Sequence, residues 1–218
     1  ALTTKAIEGY AAQEQLVGGV ETLFKTSSNT VVGYANDAYK TAGMSANEYM
    51  ETVTSFSASL LASMNNDTAA AAEKANVAIT DMSDNANKMG TDISLIQNAY
   101  NGFAKQNYTM LDNLKLGYGG TKEEMQRLLD DASKLSGIKY DISSYSDVVD
   151  AIHVVQTEMG ITGTTAKEAS TTIEGSVSSM SSAWDNWVAG MADSEANFSQ
   201  LTSCLLYTSD AADDTPCV

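Results

Sequence analysis

Apolar residues recur along this chain at the spacing of one helical face, with small and polar residues between them. From Asn47 to Met64 the positions Tyr49, Val53, Phe56, Leu60 and Met64 step by four, three, four and four, with Ser45 ahead of them as a cap. That stepping keeps all five on one side of a helix. After a break at Gly90 and Thr91, Ile93, Ile96, Tyr100 and Phe103 repeat the pattern, and Met125, Leu128, Leu129, Ala132 and Leu135 form the stripe of a helix that Thr121 opens. Gly137 is placed to end that helix in a left-handed turn. A short extended turn through Ile138, Tyr140 and Ile142 leads to Val148, Ile152, Val155 and Met159, and Gly160 stops that helix. A last helix is predicted from Thr165 to Met191, with Val177, Met180, Trp184, Trp187 and Met191 on one side and a bend or weak point at Gly175 and Ser176.

The first third is patterned less sharply. It reads as a helix from Thr3 to Ser27 interrupted at Gly18-Gly19, a weaker one from Thr30 to Thr41, and an alanine-rich one from Thr68 to Met89. Ser28 to Val32 and Ile138 to Ile142 are the candidates for short extended pieces, and no run alternates long enough to make a sheet. The fold class is therefore all-α: several amphipathic helices separated by Gly/Ser/Thr breaks, in an elongated or loosely packed bundle without significant sheet. The stripes are narrow, so the helices are expected to pack on one another or on other copies of the chain. The glycine stretch Gly117-Tyr118-Gly119-Gly120 reads as a flexible hinge between an N-terminal helical block, 1–115, and a C-terminal one, 116–202.

Composition supports the helical reading and isolates the end of the chain. Average proline usage near 5% predicts roughly ten in this length, yet the sequence has one, Pro216. Proline breaks helix interiors, so its absence elsewhere fits a helical chain. Pro216 and both cysteines, Cys204 and Cys217, fall at the extreme end. This break in composition marks residues 203–218 as a non-native tail that resembles translated sequencing-adaptor read-through, the alternative being a native disordered acidic tail. With those cysteines set aside there is no disulfide framework or thiolate metal site to read. The start at Ala1, without a basic stretch and apolar core behind it, suggests an internal fragment.

Charge narrows the partners. The net charge of −16 includes Asp210, Asp213 and Asp214, so the rest carries −13. An acidic surface without a Lys/Arg cluster repels phosphate backbones and anionic lipid heads, which disfavours direct nucleic-acid binding by this segment. No run of about 18 apolar residues occurs, so no transmembrane segment is expected.

Each candidate for chemistry has a plainer reading. The run Gly117-Tyr118-Gly119-Gly120-Thr121-Lys122 superficially resembles a phosphate-binding loop, but such a loop follows a strand and ends Gly-Lys-Ser/Thr, whereas here a helix precedes it and Thr comes before Lys. A hinge followed by a capping box, in which Thr121 accepts from the Glu124 amide while Glu124 reaches back, fits better. Asp150 and His153 share a helix face at a spacing of three, as in di-metal bundles. Such sites need several carboxylates and histidines, and the chain has one histidine, so His153 reads as an ordinary, partly exposed helix residue. Asp81-Met82-Ser83-Asp84-Asn85 lacks the spacing of a calcium loop and reads as a solvated helix face. Serine is abundant, but no Gly-x-Ser-x-Gly elbow accompanies it. No catalytic, cofactor-binding or metal residues are assigned, and no enzyme activity is expected. Tyr100, Phe103, Trp184 and Trp187 read as core or helix–helix contacts, with an inter-subunit anchor as the alternative.

Several of these stretches carry a family resemblance. Ala99 to Lys115, with Tyr100-Asn101-Gly102-Phe103 and Tyr108-Thr109-Met110-Leu111, runs into Leu116 to Ala132. Ala38-Tyr39-Lys40-Thr41-Ala42-Gly43-Met44 and Asp81-Met82-Ser83-Asp84-Asn85 precede them. Gly160-Ile161-Thr162-Gly163-Thr164-Thr165, Gly175-Ser176 and Ala183-Trp184 follow. In that order, over roughly residues 1 to 202, the chain resembles tail tape measure proteins of long-tailed bacteriophages and prophages. The resemblance implies a mostly helical structural virion protein that occupies the tail lumen, acts as a ruler for tail tube length and serves as a scaffold for tail assembly. It further implies tail tube and tail tip proteins, tail assembly chaperones and self-association as partners, with residence in the virion and, during assembly, the bacterial cytoplasm. A secreted or surface helical interaction module without catalytic activity is the alternative that composition alone allows.

Overall fold

In the computed structural model, residues 2–171, 173–190 and 202 are described, with side chains for 9–168, 180–190 and 202. Helices account for the described architecture, and no strand occurs among the described residues. They are α1 (Leu2–Phe24), α2 (Ser28–Thr41), α3 (Ala46–Ser63), α4 (Thr68–Met89), α5 (Ile93–Phe103), α6 (Lys122–Ser136), α7 (Tyr145–Glu158), α8 (Thr164–Thr171) and α9 (Ile173–Gly190). Single turns of 3-10 helix lie at Lys25–Ser27 and Leu111–Leu114. The all-α expectation holds. Ser28 to Val32, considered as an extended piece, is helical, and 138–141 adopt neither helix nor strand. Met191 and 203–218, to which readings of the sequence were attached, lie outside the described residues.

The chain divides into two units, Ala1–Glu51 with Thr165–Val218, and Thr52–Thr164. In the first, α1 packs on α2 and α9, and α2 on α9. Helix α1 runs without a break through Gly18-Gly19, because Val20 and Phe24 on the same helix are fully buried and their packing outweighs the glycine penalty of about 1 kcal/mol. The stripe expected on α9 is rotated. Trp184 is 45% exposed and Met180 is exposed, while Ser182, Ala183, Val188 and Ala189 are buried. Small residues decide this packing: a Cβ on Gly9 would sit 3.3 Å from the Ala189 Cβ, so α1 and α9 approach where neither carries bulk. Trp184 and Trp187 stack on each other instead, with ring centroids 5.2 Å apart.

Helix α3 opens in this unit with a complete capping box. The Ser45 hydroxyl accepts from the Glu48 amide at 3.3 Å, and the Glu48 carboxylate accepts from the Ser45 amide at 2.7 Å. The Ala46 amide, another of the donors a helix start leaves without an internal partner, goes to Asn186 Oδ1 at 2.9 Å.

The second unit pairs α4 with α5 and α7, and α6 with α7. Val53, Phe56 and Leu60 are buried as their spacing predicts, as are Ile96, Tyr100 and Phe103 of α5 and Met125, Leu128, Leu129 and Ala132 of α6; Tyr49, on the same stripe but in the first unit, is buried too. Stripe ends escape burial: Leu135 and Met159 are exposed because each lies in the last turn or just past it. Gly90 and Gly137 fall at the predicted breaks, and side-chain caps that the sequence reading did not assign open three of the helices. Asp67 accepts from the Ala69 and Ala70 amides, Asp92 from Ser94, and Ser144 from Asp147, while Gly90 and Gly137 adopt left-handed φ values of 60° and 74°.

Candidate functional site

Two polar assemblies in the second unit stand out, and neither matches the reading its sequence invites. The first is the glycine stretch before α6. Thr121 Oγ1 accepts from the Glu124 amide at 3.2 Å, as a cap should. Glu124, however, does not return to Thr121. Its carboxylate accepts from the Gly119 amide at 2.9 Å and from Arg127 at 2.6 and 3.0 Å. Arg127 in turn donates to the Gly117 carbonyl at 2.8 Å and lies 4.3 Å from the centre of the Tyr118 ring, whose hydroxyl meets Asp131 at 3.1 Å. Glycine is required here for approach: a Cβ on Gly120 would fall 2.2 Å from the Thr109 carbonyl oxygen, closer than any contact allows.

The stretch expected to be a flexible hinge is thus a turn stapled from both sides. It falls inside the second unit rather than between units. Buried Leu111, Leu114 and Leu116 anchor its approach, and Lys115 donates to the Met89 carbonyl at 2.9 Å, placing a cation at the C-terminal end of α4. Arg127 and the Gly119 amide hold the Glu124 carboxyl down to about 2. Burial, followed by the Asp131 contact, pushes the Tyr118 hydroxyl up to about 12.

The second assembly is the C-terminal half of α4. The segment 81–85, expected to be a solvated face, is buried at every position, with Asp84 and Asn85 at 0% exposure. Asp81, Asp84 and Asn85 each reach a different partner outside the segment, while the Ser83 hydroxyl is enclosed without one. Asp81 faces α7, where both of its carboxylate oxygens meet His153 Nδ1, at 2.8 and 3.0 Å. Asp84 Oδ2 accepts from the Gly163 amide at 2.6 Å, just ahead of α8, where a carboxylate also opposes the positive end of the helix dipole. Asn85 donates to the Leu114 carbonyl at 3.0 Å. Two turns earlier on α4, Lys74 pairs with Asp150 of α7.

The pairing of Asp150 and His153 is therefore different from a shared metal face: each turns to its own α4 partner, at Lys74 and Asp81. An alanine face on α4, with Ala71, Ala75 and Ala78 fully buried or nearly so, lets α7 come close enough for these pairs to form. Deeper in the same layer, Gln156 is fully buried beside Tyr100, and the hydroxyls of Tyr100 and Tyr145 are enclosed. Burial, with Asp81 and Tyr145 nearby, raises the Tyr100 hydroxyl well above its ordinary range, and Gln156 offsets part of that rise.

Electrostatically, burial raises the Asp81 carboxyl while the His153 contact opposes it. The Asp81 contact raises His153, against partial desolvation and Lys74. What this arrangement does chemically is hold two helices in register through oppositely directed pairs. Among the described residues no group of three or more His, Cys, Asp or Glu side chains could hold a metal ion, and no helix is long and apolar enough to cross a membrane. Comparison with protein-family models, curated proteins and solved structures returned no match.

Sequence reasoning missed Asp81, Asp84, Lys74 and Gln156 as structural groups. The available signal was the run of small residues at 69–72, 75 and 78, which marks α4 as a helix built to be approached closely.

Proposed function

We propose that this chain is a segment of a tail tape measure protein: a non-catalytic structural virion protein of a long-tailed phage or prophage, serving as ruler for tail tube length and scaffold in tail assembly. The observation that carries the reading is the ordered set of sequence stretches from Ala38 to Trp184 that resembles that family. The helical architecture is compatible with it, and of the polar clusters described above one fastens a turn to its own helix and the other joins α4 to its neighbours. On this reading the segment meets tail tube and tail tip proteins, assembly chaperones and further copies of itself, in the tail lumen and, before that, in the bacterial cytoplasm.

A helix rises 1.5 Å per residue, so 1–202 drawn out as one helix would span about 300 Å. An in-frame deletion of these residues from the parent gene, with tails measured by electron microscopy, tests the reading. Tails shorter by about 300 Å support a ruler segment. Fewer tails of unchanged length support a folded domain of the same protein. Normal numbers of normal, infectious tails would refute the proposal.

A further inference from the structure

We propose that the α4–α7 contact is a pH-responsive clasp, closed while His153 carries a proton and loosened when that proton leaves. The carboxylate of Asp81 is 1% exposed, and the cation that touches it among the described residues is His153, whose side chain is 38% exposed and reaches solvent. A buried carboxylate retains its charge at modest cost only while a donor and an opposite charge stay beside it. Loss of the imidazole proton leaves Asp81 a neutral N–H donor and removes the charge, so the clasp weakens without vanishing.

The surrounding groups point the same way. From α4, Lys74 and Asp84 face this layer together with Asp81; from α7 comes Asp150, and from α5 the Tyr100 hydroxyl. Lys74 is engaged by Asp150, and Asp84 and Asp150 add negative potential around Asp81. Histidine is the side chain whose charge changes between about pH 5 and 8. His153 is raised in the folded unit, so its stabilisation is complete below its unfolded value and is lost as pH climbs through the higher folded value. The rise of Asp81 has the same sign: its proton is favoured by folding, so increasing pH also works against the closed state.

The chain contains one histidine, which makes the test direct. The imidazole proton signal of the intact protein is titrated by NMR from pH 5 to 9. Urea midpoints are then read at pH 6 and pH 9 from the methyl signal of Met125, buried in the same unit. Wild type, Asp81→Asn and His153→Gln are compared. We expect His153 to titrate above an unperturbed imidazole and Asp81→Asn to lower that titration by a unit or more, a tenfold change in proton affinity. The wild-type midpoint falls from pH 6 to pH 9, and that of His153→Gln falls less, because it keeps only the Asp81 contribution. Should Asp81→Asn fail to fold, the wild-type titration and the His153→Gln comparison decide by themselves. A His153 titration at or below the unperturbed value, or an equal fall of the midpoint in His153→Gln, overturns the proposal.

Discussion

The glycine turn at 117–127 and the polar turn of α4 at 81–85 exchange the roles their sequences suggest. The first is conspicuous, rich in glycine, and invites a reading as hinge or phosphate loop; the second is an unremarkable charged stretch. In the folded unit the glycine turn is held by its own helix, through bonds spanning 3, 5 and 10 residues. The polar turn of α4 is held by partners 29, 72 and 79 residues away. One is local punctuation, and the other is where distant parts of the chain converge. Glycine content alone did not separate a joint from a staple, and charge alone did not separate a solvated face from a buried one.

The largest effect should come from the distant-contact region. Asp84→Ala strands the Gly163 amide and empties a fully buried position, and should cost the second unit about 3 kcal/mol in urea denaturation followed at the Met125 methyl. A cost below that of an ordinary surface substitution would show that the burial of Asp84 is incidental.

Within the glycine turn, Gly120→Ala should cost about 2 kcal/mol, since the chain must move away from Thr109, whereas Gly119→Ala meets nothing closer than Glu124 Cγ at 3.5 Å and should cost far less. Equal costs at the two positions would mean the turn yields freely and is a hinge after all. The smallest effect is electrostatic. Arg127→Ala should bring the Glu124 carboxyl up from about 2 toward the ordinary range, read by carbon-detected NMR titration. A lowered carboxyl stabilises above its unfolded value and loses that contribution as pH falls through its folded one. The variant should therefore lose the Glu124 share of acid-side pH dependence, which is modest at this exposed position.

How far the sequence could be read follows the same division. Periodicity located α3, α5, α6 and α7, and short-range signals located the cap at Thr121 and the left-handed end at Gly137, because those effects act within one or two turns; the caps at Asp92 and Ser144 were not read. The capping box was assigned to Thr121 and Glu124, but the reciprocal pair forms at Ser45 and Glu48, since Arg127 and the Gly119 amide compete for Glu124. On α9 the bulky stripe of Met180 and Trp184 implied a core face, and close contact between Gly9 and Ala189 turned the helix the other way. Nothing local announces that Asp81 will meet His153. That pair depends on which helix lands on the alanine face of α4, a tertiary outcome that single-helix patterns do not encode.

Hydrogen exchange at the Gly119 and Gly163 amides tests the central contrast most directly, since each donates to a single carboxylate, Glu124 in the local staple and Asp84 in the buried layer. Both amides should exchange more slowly than an unstructured peptide, with Gly163 the slower, and Arg127→Ala should speed Gly119 while leaving Gly163 unchanged. Exchange of Gly119 at the unstructured rate would restore the flexible hinge, and equally fast exchange of Gly163 would contradict the buried polar layer of α4.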